Sequence, residues 1–128
     1  MNTTTDSLAD TIDNMKDYGN HVCQTMNEAI DKLGFKDGIV TELPVFSHAT
    51  FSLTTDPYTA DDNLTGIWYD KNRQRIGQIQ FNSDGSFYAE YDIVQPHPTK
   101  NQWFVEGISA WGNRDLIKTE PKLLPSLA

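Results

Sequence analysis

From Leu8 to Leu33 small or apolar residues recur in alternating steps of four and three: Leu8, Ile12, Met15, Gly19, Val22, Met26, Ala29 and Leu33. That spacing draws a single stripe along a long α-helix, which must bury the stripe against another element. After Pro44 the period shortens to two, in short runs rich in β-branched and aromatic residues that Gly, Pro, Asn and Asp interrupt. Such runs read as strands joined by turns. The expected fold class is therefore α+β, with one long N-terminal helix packed on an antiparallel meander sheet of four to five strands. A single domain over 1–128 is expected: a disordered start (1–6), the helix (7–33), the sheet (45–119) and a tail (120–128).

Ser7 and Asp10 have the spacing of a capping box, and Asp6, Asp10 and Asp13 favour the positive end of the helix dipole, so the helix is predicted to begin near Ser7. Gly34 follows the last stripe residue, Lys32 lies in the final turn, and Phe35 is placed to pack back on Ile30. These predict a glycine-terminated end near Leu33. Asp10, Asp13 and Asp17 precede stripe residues by two positions, hence lie about 160° away around the helix and form its solvent face.

The first strand is predicted over Val45 to Thr54, with Val45, Ala49, Phe51 and Leu53 toward the core and His48 away from it. Leu64 to Tyr69 and Arg75 to Phe81 should form a hairpin. In the next one, a two-residue Asp84-Gly85 turn would mix the two faces. A three-residue loop, Ser83-Asp84-Gly85, with Gly85 left-handed, instead pairs Asn82 with Ser86, Phe81 with Phe87 and Ile79 with Ala89. The core face then carries Ile79, Phe81, Phe87, Ala89, Tyr91 and Ile93, and the opposite face carries Gln78, Gln80, Tyr88, Glu90 and Asp92. A further strand is expected from Trp103 to Trp111, bulged near Gly107, with a short edge strand at Leu116 to Thr119.

Charge excludes some partners and favours others. The formal net charge is -8, and all of it lies in residues 1–62, which hold eleven acidic and three basic residues; residues 63–128 hold seven of each. Such a surface repels nucleic-acid phosphates and anionic membranes and attracts a basic protein surface. No run approaches the length of a membrane span. The start lacks the basic and apolar regions of a signal peptide, and one cysteine, Cys23, suits a reducing compartment. A cytoplasmic location is the expectation, with Cys23 a small buried side chain beside the stripe.

Motifs of catalysis are missing or broken. His21, His48 and His97 have no second His or Cys at metal-ligand spacing, so neither metal nor cofactor is expected. Gly107-Ile-Ser109-Ala-Trp111 departs from a nucleophile elbow at its last position, where Trp stands for Gly. Gln80 to Tyr91 departs from a calcium loop at both ends. Glu90 and Asp92, two apart on one strand with Tyr88 beside them, offer the best acid pair, but an open sheet face lacks the cleft that would hold one of them protonated.

The function expected is a small acidic protein-interaction module without catalytic activity: an adaptor, a chaperone-like binder or an immunity-type inhibitor. Its partner-binding residues are expected among Asp10, Asp13, Asp17, Tyr88, Glu90 and Asp92. The alternative is an enzyme or small-ligand binder with a pocket between helix and sheet or on the Tyr88, Glu90 and Asp92 face. A helix of that length outreaches a sheet of five strands, so Leu8 and Ile12 are expected to meet a second copy in a homodimer.

Overall fold

The computed structural model describes residues 3–34, 43–97 and 99–125. Helix α1 runs over Thr3–Lys32, and six strands follow: β1 Thr50–Thr55, β2 Asp62–Tyr69, β3 Arg75–Phe81, β4 Phe87–Pro96, β5 Trp103–Gly112 and β6 Ile117–Pro125. Each strand pairs antiparallel with its neighbours in sequence, so the sheet order is β1-β2-β3-β4-β5-β6. The side chains of α1 pack over one face of this sheet. The α+β meander is as expected, with six strands rather than four or five.

α1 starts one turn before Ser7, so residues 3–6 are helical and not a disordered start. Nothing in the opening residues stops a helix, since neither Pro nor Gly occurs there. Ser7 lies inside the helix and so does not mark its start. The helix ends at Lys32, where Leu33 N–H and Gly34 N–H donate to the carbonyls of Ile30 and Asp31, both at 3.0 Å. The predicted packing of Phe35 on Ile30 lies outside the described residues.

The buried stripe is not centred where heptad spacing puts it. Tyr18, Val22, Cys23, Met26 and Ile30 are buried, while Leu8, Ile12, Met15, Ala29 and Leu33 pack only partly on the core. A straight helix has 3.6 residues per turn, so a stripe repeating every seven drifts by about 20° per heptad and Ile30 takes the place of Ala29. Gly19 admits a close approach: a Cβ there would fall 2.1 Å from the ring of Phe46. Tyr18 ties the helix to the far end of the sheet, donating from its hydroxyl to Gly85 O at 2.9 Å while the Arg114 guanidinium lies 4.6 Å from its ring centre.

Residues predicted to open the first strand form a 3-10 turn instead, Phe46–His48, and extended pairing begins only at Thr50. The turn reverses the expected alternation. Phe46 is buried against Phe51 and Phe81, and Val45 is exposed, its carbonyl accepting from His48 N–H and from the indole N–H of Trp68. His48 is exposed, as expected.

The hairpin between β3 and β4 has the predicted register, with Phe81 opposite Phe87 and Ile79 opposite Ala89. Gly85 has φ +92°, and Asn82 N–H donates to Ser86 O at 2.9 Å, as a three-residue loop with a left-handed glycine requires. The β5 irregularity falls between Val105 and Gly107, near the position expected. The last strand differs most. β6 continues to Pro125, so most of the supposed tail belongs to the sheet. It is an edge strand, where a proline facing solvent costs no ladder bond, and Pro121 is accommodated opposite Ile108.

Candidate functional site

The face of the sheet opposite α1 is built by strict alternation. On β3 and β4 the core takes Gly77, Ile79, Phe81, Phe87, Ala89, Tyr91 and Ile93, and the intervening residues point the other way. Register then sets them in rows across the strands. Gln78, Glu90, Ser109 and Glu120 make one row, and Gln80, Tyr88, Trp111 and Lys118 the next. A third row runs Asp92, Gly107, Lys122.

Glu90 is the centre of this face. Its Oε1 accepts from Gln78 Nε2 at 3.1 Å, and its Oε2 accepts from Tyr88 OH at 3.3 Å and Lys122 Nζ at 3.2 Å. Arg75 extends the network by donating to Gln78 Oε1. Tyr88 and Ser109 hydroxyls lie 3.5 Å apart, and Ser109 is buried beneath its neighbours, 8% exposed. Gly107 makes the Lys122 contact possible in part: it stands between Asp92 and Lys122 with no side chain, so the lysine crosses β5 unobstructed. A Cβ at Gly107 would also fall 2.8 Å from Tyr91 O.

Electrostatics differ between the two acids. Partial loss of water pushes the Asp92 carboxyl above the usual range, and the nearby charges of Glu90 and Glu106 push it further, against the opposing pull of Lys122 and Arg75. Lys122 is held above the ordinary lysine value by its hydrogen bond and ion pair with Glu90. Both members of that pair reach solvent, at 46% and 27% exposure, so the pair itself contributes about 0–1 kcal/mol. Three donors on its carboxylate hold the Glu90 side chain in one orientation.

The same face also carries exposed apolar groups, most of them toward the Pro96 end of β4. Tyr88 is 39% exposed, Val94 76%, Phe104 40% and Leu124 48%, with Phe104 directly opposite Leu124. Tyr69, not Trp68, is the exposed member of its pair; Trp68 is buried against Tyr91. Asp10, Asp13 and Asp17 are exposed on α1 and belong to a different surface from Tyr88, Glu90 and Asp92. Leu8 and Ile12 are half-buried.

Sequence reasoning placed Gln78, Gln80, Tyr88, Glu90 and Asp92 together but missed Ser109, Lys122, Phe104 and Leu124. The signal for the β6 residues was present: Ile117, Thr119, Pro121 and Leu123 alternate with Lys118, Glu120 and Lys122. Its prolines masked it.

The interior between α1 and the sheet is filled by the aromatic core. The described grooves lie at its margins, one of about 710 Å³ between α1 and β1 and one of about 570 Å³ beside His48, Asp70 and Tyr91, both open to solvent. Among the described residues no three His, Cys, Asp or Glu side chains converge as metal ligands, and no helix is long and apolar enough to cross a membrane. No protein-family model, curated protein sequence or solved structure matches the chain.

Proposed function

We propose that this chain is a non-catalytic protein-interaction module of the cytoplasm, binding another protein through the face of its sheet turned away from α1. The observation that carries this reading is the makeup of that face. Exposed Val94, Phe104 and Leu124 share this face with an ordered polar centre at Glu90 and Tyr88, and no described residue covers them. Aromatic and aliphatic anchors beside satisfied polar groups make a surface suited to association. Asp10, Asp13 and Asp17 would act at longer range, drawing in a partner with a basic surface.

Affinity capture from native lysate, run in parallel with a Val94→Lys plus Phe104→Lys variant, tests this. Both substituted side chains are exposed, so the variant should keep its circular dichroism and lose the captured partner. Capture that survives in the folded variant removes the outer face from the binding surface.

A second reading, a homodimer, draws on the N-terminal end of α1. Thirty helical residues extend about 45 Å, while six strands span about 24 Å. Leu8 and Ile12 are only half-buried, where Val22, Met26 and Ile30 are fully buried, and so keep apolar surface that a second copy could cover. Light scattering behind a sizing column should give twice the monomer mass of 14.5 kDa, and Leu8→Asp plus Ile12→Asp should restore the monomer without unfolding it. A monomer at all concentrations refutes the dimer.

A further inference from the structure

The two edges of the sheet are guarded very differently. β6 carries Lys118, Glu120, Pro121, Lys122 and Pro125, the charges and prolines that ordinarily keep an edge strand from pairing with another chain. β1, with the sequence TFSLTT, has neither charge nor proline. It hydrogen-bonds to β2 on one side only, and among the described residues no strand lies along its other side. Alternate backbone N–H and C=O groups of Thr50–Thr55 therefore point outward.

Beside this edge runs the groove between α1 and β1. Ile12, Phe46, Ala49 and Phe51 give it an apolar wall, and Asp13 and Lys16 stand at its rim. Its volume of about 710 Å³ is enough for several aliphatic side chains. A strand added to β1 would turn every second side chain toward the groove.

Charge decides what that strand is. Asp13 lies at the groove, and Asp56, Asp61 and Asp62 cluster in the loop leaving β1 and at the start of β2. Residues 1–62 hold the entire net charge of the chain. A second copy paired edge to edge would bring two such halves together, and like charges at close range oppose that. We propose that the β1 edge binds an extended, basic segment of another protein as a seventh strand, its backbone pairing with Thr50–Thr55 and its alternate apolar side chains entering the groove. Backbone pairing supplies affinity in this mode, and the groove and the acids supply selectivity.

A short synthetic peptide alternating Lys with Val, capped at both ends and fluorescently labelled, is the probe, titrated into the full chain and read by anisotropy. Two further peptides accompany it: one N-methylated on alternate residues, which removes the donors of one edge, and one with Glu in place of Lys. The Lys–Val peptide should bind, and each of the other two should bind at least about tenfold more weakly. Amide NMR shifts on binding should centre on Thr50–Thr55, and Asp13→Lys, an exposed substitution, should weaken the peptide several-fold while leaving the spectrum of the free chain folded. Equal binding by the N-methylated or the Glu peptide overturns the proposal, as do shifts centred on β6 or on the Tyr88 face. A dimer formed by the chain alone, with intermolecular contacts between β1 strands, overturns it in favour of a second copy. None of these outcomes depends on the outer-face variant, so this proposal and the outer-face reading stand or fall separately, whereas a homodimer through Ile12 would occupy the same groove wall and exclude the peptide.

Discussion

Gln80 and Phe81 are neighbours on β3, yet Phe81 lies 1% exposed beneath α1 while Gln80 faces the opposite way, its amide on Asn82 Oδ1. The same contrast holds along every central strand. Under the helix, ring packs on ring: Tyr18 lies 5.1 Å from Phe81 and 5.6 Å from Phe87, Phe46 lies 4.8 Å from Phe51, and Trp68 lies 5.8 Å from Tyr91. On the other face, polar side chains bond to one another in water's presence, and apolar ones stand exposed. One face holds the fold together by excluding solvent, and the other is ordered by bonds too weak to hold it. A surface so constructed can change its side chains at little cost in stability.

The contrast breaks first, if it breaks, at Phe81. Phe81→Ala should cost about 3–5 kcal/mol in urea unfolding, whereas Tyr88→Ala on the opposite face should cost less than about 1 kcal/mol. Comparable losses would mean that the outer face carries stability after all. The next largest effect belongs to Cys23, whose thiol burial pushes up to about 12 from an ordinary 9.0. A raised acid is protonated in the folded chain where the unfolded chain has already lost its proton. Stability should thus fall by about 1.4 kcal/mol per pH unit above pH 9, toward the folded value, and Cys23→Ala should flatten that fall. Alkaline melts of the two chains measure it.

Gly19 tests the closeness of the helix to the turn beneath it. Alanine is the better helix former by about 1 kcal/mol, but its Cβ would strike the Phe46 ring, so Gly19→Ala should destabilise by roughly 1–3 kcal/mol. A stabilised variant would show that Phe46 yields. The smallest effects are on the outer face. Lys122→Met should shift stability by less than about 1 kcal/mol. Asp92 carries a raised carboxyl, so its ionised form costs the folded state above the usual carboxylate range. Asp92→Asn should raise the urea midpoint slightly at neutral pH and lose that advantage as the pH falls through that range.

Which face a residue occupies was legible wherever period two ran unbroken into a turn of defined length. The β3–β4 hairpin is the clearest case, because only the loop with left-handed Gly85 keeps Phe81 and Phe87 on one side. Alternation failed as a guide at Phe46, where a 3-10 turn replaces extended chain and reverses inside and outside. It was overlooked at β6, where Pro121 reads as a breaker unless the strand is known to lie at an edge, and edge position follows from the whole sheet. Lys122 was missed with it. The ion pair to Glu90 joins residues 32 apart in sequence across an intervening strand, which no local pattern encodes.

The meander order has a consequence for how the chain reaches its native state. Each strand meets a partner that directly precedes or follows it, so the sheet can assemble hairpin by hairpin through short loop closures. The helix is the exception: Tyr18 finds Gly85 across 67 positions, and Arg114 finds Met15 across 99. Docking of α1 therefore closes far longer loops than any hairpin, and in a chain emerging from synthesis the helix precedes the strands and turns that Tyr18 and Met15 contact. Until those form, the stripe from Tyr18 to Ile30 lacks its cover, and the like charge of the acidic residues on the same helix opposes association between such chains.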